Sequence, residues 1–165
     1  VNVIAATQRL WILGVTIADV DLLFQLTADR EVMRFLPDIL NYQETKQMVR
    51  KILEHYATYG YCYWKILSRT RGEFIGIAGL LHQEIDGNPE TEISYRIKPE
   101  YWNNGYATEA AQACKEYAEK ALGKKRLISI IHPMNNASKR VAQKLGAIKF
   151  KTTAFLGKEH EVYVY

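Results

Sequence analysis

At 165 residues and 19.0 kDa the chain has the size of one compact domain. Its 48% hydrophobic and 24% charged residues, with only 4 Pro and 10 Gly, exclude a disordered, collagen-like or low-complexity chain. The 22 Lys+Arg exceed the 18 Asp+Glu by a formal charge of +4, which attracts an anionic ligand but is too mild to make nucleic acid the expected partner. The longest apolar runs, such as Phe74–Leu81, have strand length, so no membrane association is expected. Cys62 and Cys114 are too far apart for a CxxC metal or redox motif, and a reducing, cytoplasmic compartment is the natural reading. No signal-peptide pattern opens the chain, which begins at Val1, so a residue or more is expected to be missing or processed.

No repeat, linker or compositional break interrupts the sequence, and one domain over residues 1–165 is expected. Gln8–Leu13 reads as a first strand. Thr16-Ile-Ala-Asp19 is a capping-box pattern, with a helix of about ten residues to follow and Leu22, Leu23 and Leu26 turned inward. Asn41-Tyr-Gln-Glu44 repeats the signature before a longer helix, whose inner face is Thr45, Val49, Ile52, Leu53 and Tyr56. After Gly60 the pattern turns to strands. Tyr61–Leu67 and Phe74–Leu81 flank a turn at Arg69-Thr-Arg-Gly72, Asp86–Pro89 reads as a loop, and Thr91–Lys98 alternates. On that last strand Ile93, Tyr95 and Ile97 point one way, and Glu92, Ser94 and Arg96 the other. A helix follows on Ala107, Ala110, Ala111, Cys114, Tyr117, Ala118, Ala121 and Leu122, and Gly123 ends it. Leu127–Ile131 is a short buried strand, a last helix runs from about Asn136 to Leu145, and strands near Ile148–Phe155 and Glu161–Tyr165 close the chain. The order specifies an α/β domain on a mixed sheet.

Three places can carry chemistry. Tyr101-Trp-Asn-Asn-Gly-Tyr-Ala-Thr-Glu109 joins a strand end to a helix start, where unpaired amides and a partial positive charge attract phosphate. Gly105 and Ala107 let an anion approach the backbone and Thr108 adds a hydroxyl, although an ordinary tight turn has the same pattern. The segment is neither a P-loop nor a GxGxxG dinucleotide turn. Ser138 shares an inner helix face with Val141, Ala142 and Leu145, so its hydroxyl needs a partner, either a carbonyl one turn earlier or a ligand. Asn135 either caps that helix or faces the ligand. Glu92 lies in the middle of a strand read as interior, where a carboxylate must be solvated, paired with Arg96 or put to use. His55, His82, His132 and His160 show no paired ligand spacing, and no metal site is read. Cys114 sits on a buried helix face and is expected to pack.

These residues together resemble the GNAT superfamily of acyl-CoA-dependent N-acetyltransferases, and within it the ribosomal-protein N-terminal acetyltransferase branch. The similar segments are Thr7–Leu10, Asp29–Pro37, Glu92–Tyr95, Tyr101–Ala110 and Asn135–Gly146, five in the same order over nearly the whole chain. The resemblance implies a mostly antiparallel sheet, flanked by helices, that splays open between the strand of Glu92 and that of Leu127–Ile131. Acetyl-CoA would lie there as co-substrate, its pantetheine arm along Tyr95 and Ile97. Its pyrophosphate would rest on Asn103, Asn104, Gly105, Tyr106, Ala107 and Thr108, with Asn135 and Ser138 at the thioester end and Lys139 or Arg140 near the outer phosphate. Trp102 stands where the wider superfamily carries Gln or Arg. Ala142 stands where many relatives carry an acid tyrosine, and Gly146-Ala147 replaces the usual Gly-Phe.

The resemblance also implies roles. Glu92 would act as general base through water, a backbone amide near Tyr95–Ile97 would hold the oxyanion, and Ser138 would protonate the leaving sulfur in a direct transfer. The acceptor would be a protein N-terminal α-amine, with a small amine (polyamine, amino acid or antibiotic) or a non-catalytic acyl-CoA-binding module as the alternatives. A monomer or homodimer is expected.

Overall fold

A computed structural model describes residues 1–165. The strands are β1 (Val3–Ala6), β2 (Leu10–Gly14), β3 (Tyr63–Ser68), β4 (Phe74–Ile85), β5 (Asn88–Ile97), β6 (Ile128–Ile131), β7 (Ile148–Phe155) and β8 (Lys158–Val164). The helices are α1 (Val20–Thr27), α2 (Tyr42–Tyr59), α3 (Tyr106–Lys120) and α4 (Asn136–Lys144). All eight strands join one sheet in the order β1-β2-β3-β4-β5-β6-β8-β7. Every neighbouring pair is antiparallel except β5 with β6, which is parallel. No helix is long and apolar enough to cross a membrane.

The local signals act largely as their chemistry requires. The Asp19 carboxylate accepts from the Thr16 N–H at 2.7 Å and also holds the Lys65 ammonium of β3 at 2.8 Å, so the chain turns into α1 and is pinned to the sheet by one group. A short 3-10 turn at Ile17–Asp19 precedes the eight residues of α1, which divides the expected ten-residue helix into two pieces. The capping box of α2 forms fully: Glu44 N donates to Asn41 Oδ1 and Asn41 N donates to Glu44 Oε2. Gly60, in the left-handed region, ends that helix.

Two corrections concern strands. The expected single opening strand at Gln8–Leu13 is a pair: β1 and β2 are joined through a turn in which Thr7 N donates to the Leu10 carbonyl and Leu10 N donates to Thr7 Oγ1. The apolar stretch of β1 is only four residues long and lies at the sheet edge, so it carries little pattern. The expected loop Asp86–Pro89 is a tight hairpin turn, with Asp86 and Gly87 both at positive φ and Ile85 opposite Asn88. That turn carries β4 four residues beyond Leu81.

Two apolar layers cover the sheet. On one face Leu10, Trp64, Ile66, Leu80 and Ile93 pack against Ala110, Ala111, Cys114 and Ala118 of α3. The small side chains let this helix lie close to the strands. Val20, Leu23, Leu26, Val49 and Ile52 of α1 and α2 cover the other face, on Tyr63 and Ile77. Both thiols belong to these layers; burial pushes Cys62 up to about 11 and Cys114 up to about 12, as packing groups require.

Gly79, on the central strand β4, sits where a Cβ would run into the main chain of Cys62 and Tyr63 at the start of β3. Gly79→Ala is expected to destabilise by about 2–3 kcal/mol through overpacking. Thermal unfolding should show Tm lower by roughly 5–10 °C for a chain of this length.

Candidate active site

The parallel contact between β5 and β6 is a single pair, Glu92 with Ile128. Beyond it the two strands diverge. Backbone groups on a strand alternate in direction, and β5 uses this alternation. Lys98 N turns to β4 and donates to the Ile75 carbonyl. The odd residues turn the other way: the Ile93 carbonyl accepts from Ser129 Oγ at 2.8 Å, and the Ile97 carbonyl accepts from Trp102 Nε1 at 2.7 Å. Tyr95 lies between them with the same orientation, so its amide and carbonyl face the opening. Trp102 thus closes one end of the splay.

Glu92 sits at the vertex of this opening and is buried. Neither solvent nor Arg96 accounts for it. Its Oε1 accepts from Gln83 Nε2 at 3.0 Å and its Oε2 from the Ile130 N–H at 3.4 Å. Burial raises its pKa from 4.5 to about 7, against the lowering effect of these two bonds and of the more distant Arg96. A carboxyl poised at that value takes and returns protons near neutrality. Gln83 lies beyond Leu81, the expected end of the strand, so the apolar pattern does not point to it.

A groove of about 440 Å³ opens from the splay between β5, the loop before α3, and α4. Among the residues singled out from sequence, Tyr95, Ile97, Asn103, Gly105, Tyr106, Ala107, Thr108, Asn135 and Ser138 all line it. Glu92 and Asn104 do not: Glu92 is buried behind the wall, and the Asn104 side-chain amide donates to the Tyr101 and Trp102 carbonyls and holds the turn. Asn103 and Gly105 take positive φ, which turns this segment into the helix.

Capping distinguishes α3 from its neighbours. Asn41 caps α2 and Asn135 caps α4, accepting from Ser138 N at 3.2 Å, whereas the start of α3 has no side-chain cap. Its first internal bond is from Glu109 N to the Gly105 carbonyl, which leaves the amides of Tyr106, Ala107 and Thr108 without helical acceptors. They end at the groove, an arrangement suited to an anion.

The uncapped loop is fastened from outside. Glu109 accepts from Thr7 Oγ1, from Arg9 N and from Arg9 Nε, and Arg9 Nη1 donates to the Asn104 carbonyl at 2.8 Å. Burial alone would raise the Glu109 carboxyl, but these donors outweigh it and hold it below the ordinary range. The guanidinium also stacks over Tyr106. A link between residues about a hundred positions apart leaves no local pattern in the sequence.

The remaining candidates separate. Ser138 is half-buried at the groove wall; its carbonyl accepts from the Tyr95 hydroxyl at 3.1 Å, while its own hydroxyl makes no bond to the preceding turn. Ala142 is fully buried and has no donor to offer. Lys139 pairs with Glu161 at 2.9 Å, whereas Arg140 and Lys144 line the groove. Asn135 both caps α4 and faces the groove, so the two readings of this residue are compatible.

A splayed mixed sheet, an uncapped helix at the splay and a buried carboxyl at its vertex define an acyltransferase architecture. The family model described as "Acetyltransferase (GNAT) domain" matches residues 9–148, and the chain belongs to this family of N-acetyltransferases. It is similar to YkkB of Bacillus subtilis, 34% identical over 82% of this chain and 78% of that one. YnaD of the same organism, described as an N-acetyltransferase, is 31% identical over 85% of this chain and 79% of its own length. Among solved structures, an acetyltransferase from Agrobacterium tumefaciens superposes with a TM-score of 0.84 at 23% identity, covering 98% of this chain and 92% of that chain. RimL, a ribosomal-protein α-N acetyltransferase solved in complex with coenzyme A, superposes at 0.76 with 18% identity over 99% and 96%. These two likenesses show the fold.

The Gln83–Glu92 bond generates a test that does not depend on turnover. Donation from Gln83 favours the ionised carboxyl, so Gln83→Met should move the Glu92 titration above 7, by roughly one pH unit for a bond worth ~1.4 kcal/mol. Carboxyl-carbon NMR on wild type and variant reads it, and an unmoved titration would show that the bond does not act on the carboxyl.

Proposed function

We propose that the protein transfers the acetyl group of acetyl-CoA directly to a protein N-terminal α-amine, with Glu92 as base. The observation that carries the reading is the position of the Glu92 carboxyl, buried at the one point where β5 and β6 still pair and next to the free backbone edge of Tyr95. The pyrophosphate would rest on the amides of Tyr106, Ala107 and Thr108, and Arg140 and Lys144 supply positive charge along the same wall. The pantetheine arm would complete the edge that β5 presents to the splay. Solution of RimL with coenzyme A supports a coenzyme A thioester as co-substrate.

In the reaction, Glu92 takes a proton from the acceptor ammonium through water, the neutral nitrogen attacks the thioester carbon, and the carbonyl oxygen gains charge, which the Tyr95 N–H stabilises. The C–S bond then breaks. The sulfur leaves with the Ser138 hydroxyl proton, the second proton of the nitrogen passes through water to restore that hydroxyl, and Glu92 returns its own proton to solvent. An α-amine titrates near 7.7–8.0 and a lysine near 10.4, so a carboxyl at about 7 is better matched to the first proton. RimL's action on ribosomal-protein α-amines supports the same choice.

The base must be ionised to accept a proton, so kcat/KM should rise as pH passes through about 7 and flatten above it. Glu92→Gln should remove this limb and lower kcat by roughly 10²–10⁴ at neutral pH, with the loss shrinking as the amine deprotonates itself. Ser138→Ala should reduce kcat more than acetyl-CoA affinity. Wild-type kcat in both variants would end the assignment.

The acceptor is read from a panel at equal concentration: peptides with free N-termini, N-blocked lysine peptides, polyamines and amino acids. Free N-termini should show the highest kcat/KM. A small amine a hundredfold above every peptide would replace the substrate while leaving the cofactor groove intact, and binding of acetyl-CoA without any turnover would mark a non-catalytic module.

A further inference from the structure

The acetyl-transfer steps leave Arg96 without a role. It projects from β5 on the same face as Glu92 and Ser94, opposite to Tyr95, and lines the groove. Its guanidinium is half-buried between Met33 and Tyr63: Nη1 reaches the Met33 sulfur at 3.7 Å, and the carbon of the fork stands 5.5 Å from the Tyr63 ring centre. It enters none of the molecule's ion pairs. The nearest acid on its own strand, Glu92, is held by Gln83 and Ile130 instead. A thioether and a ring face are weak partners for a group with five donors arranged to fit a carboxylate.

Resting on the acyl-transfer reading above, we infer that Arg96 selects amine acceptors that carry a carboxylate, and that the acceptor is a peptide N-terminus with Asp or Glu at its second or third position. The peptide follows from the α-amine acceptor proposed above. Arg96 shares a face of β5 with Glu92 and directly follows Tyr95, and an extended chain, which gains ~3.3 Å per residue, carries the side chain of its second or third residue along this strand. Glu31 and Arg34, from the segment after α1, also line the groove and are of opposite sign.

The test uses C-terminally amidated peptides, so that the only carboxylate is the side chain: Ser-Asp-Ala-Gly against Ser-Asn-Ala-Gly, and Ser-Ala-Asp-Gly against Ser-Ala-Asn-Gly. Free serine and free aspartate form the small-molecule arm. For wild type the acidic member of at least one peptide pair should exceed its neutral partner in kcat/KM by roughly 10–100-fold, the range of a charged hydrogen bond. Arg96→Gln should bring that ratio close to one, and Arg96→Lys should restore part of it. Calorimetric binding of the same peptides to the coenzyme A-loaded protein reads the same ratio without catalysis. If the binding ratio holds while no peptide is acetylated, the acetyl-transfer reading fails and the Arg96 assignment stands. Equal wild-type ratios, a ratio that survives Arg96→Gln, or an Arg96→Gln defect confined to the KM of acetyl-CoA would each overturn the assignment, as would free aspartate matching the acidic peptides.

Discussion

The divergence of β5 from β6 after a single parallel pair is the constraint on which the other features depend. Two strands that part inside a sheet leave backbone donors and acceptors unpaired, which is costly unless something else takes them. Here side chains take the outer two positions, Ser129 at Ile93 and Trp102 at Ile97. The Tyr95 edge between them is left for an extended ligand. Tyr95 itself bridges the gap from the other direction, its hydroxyl donating to the Ser138 carbonyl and tying β5 to the first turn of α4. The opening is therefore framed by hydrogen bonds at both ends and across the gap.

That frame has to be held against the sheet's tendency to close, and the supports are far away in sequence. Arg9 and Thr7, in the turn between β1 and β2, fix Glu109 and the Asn104 carbonyl, so the loop before α3 is anchored across the edge of the molecule. The lack of a side-chain cap on α3 is then tolerable. The negative charge that would ordinarily favour a helix start is present in Glu109 but is neutralised by Arg9, which leaves the amides of the first turn available to a second anion. On the other flank, Lys139 turns to Glu161, so that Arg140 and Lys144 rather than Lys139 face the groove.

The parts of this arrangement that were legible in the sequence are those encoded within a few residues. The Asn41–Glu44 box, the small-residue turn around Gly105 and the alternation of β5 all state a local backbone requirement, and the structure meets each one. The face to which Glu92 points followed from the same alternation. Its partner did not, because β4 outlasts its apolar run: after Leu81, the expected strand end, come the polar His82, Gln83 and Glu84, which pair with Thr91, Glu90 and Pro89. The Arg9–Glu109 clamp was hidden for a different reason, since it is set by the closure of the sheet and not by any spacing. The opening strand β1 was missed because an edge strand of four residues, two of them alanine, carries almost no periodic signal.

The burial of Glu92 connects stability to chemistry. The interval from 4.5 to about 7 corresponds to roughly 3 kcal/mol. A carboxyl with a raised value favours the folded state most when it is protonated, below 4.5, and that contribution is lost as pH rises through 7. The fold is thus less stable where the base is active. Full neutralisation of the cost, by an arginine in direct contact, would return the carboxyl to its ordinary range and leave a weaker base. Arg96 stands on the same face, yet its guanidinium is turned to Met33 and Tyr63, and its field lowers Glu92 only as the smallest of the acting causes. Neutral donors, Gln83 and the Ile130 amide, orient the carboxyl without cancelling its basicity. The separation of a neutral orienting pair from a distant cation is what lets one strand carry both a proton acceptor and an unpaired guanidinium.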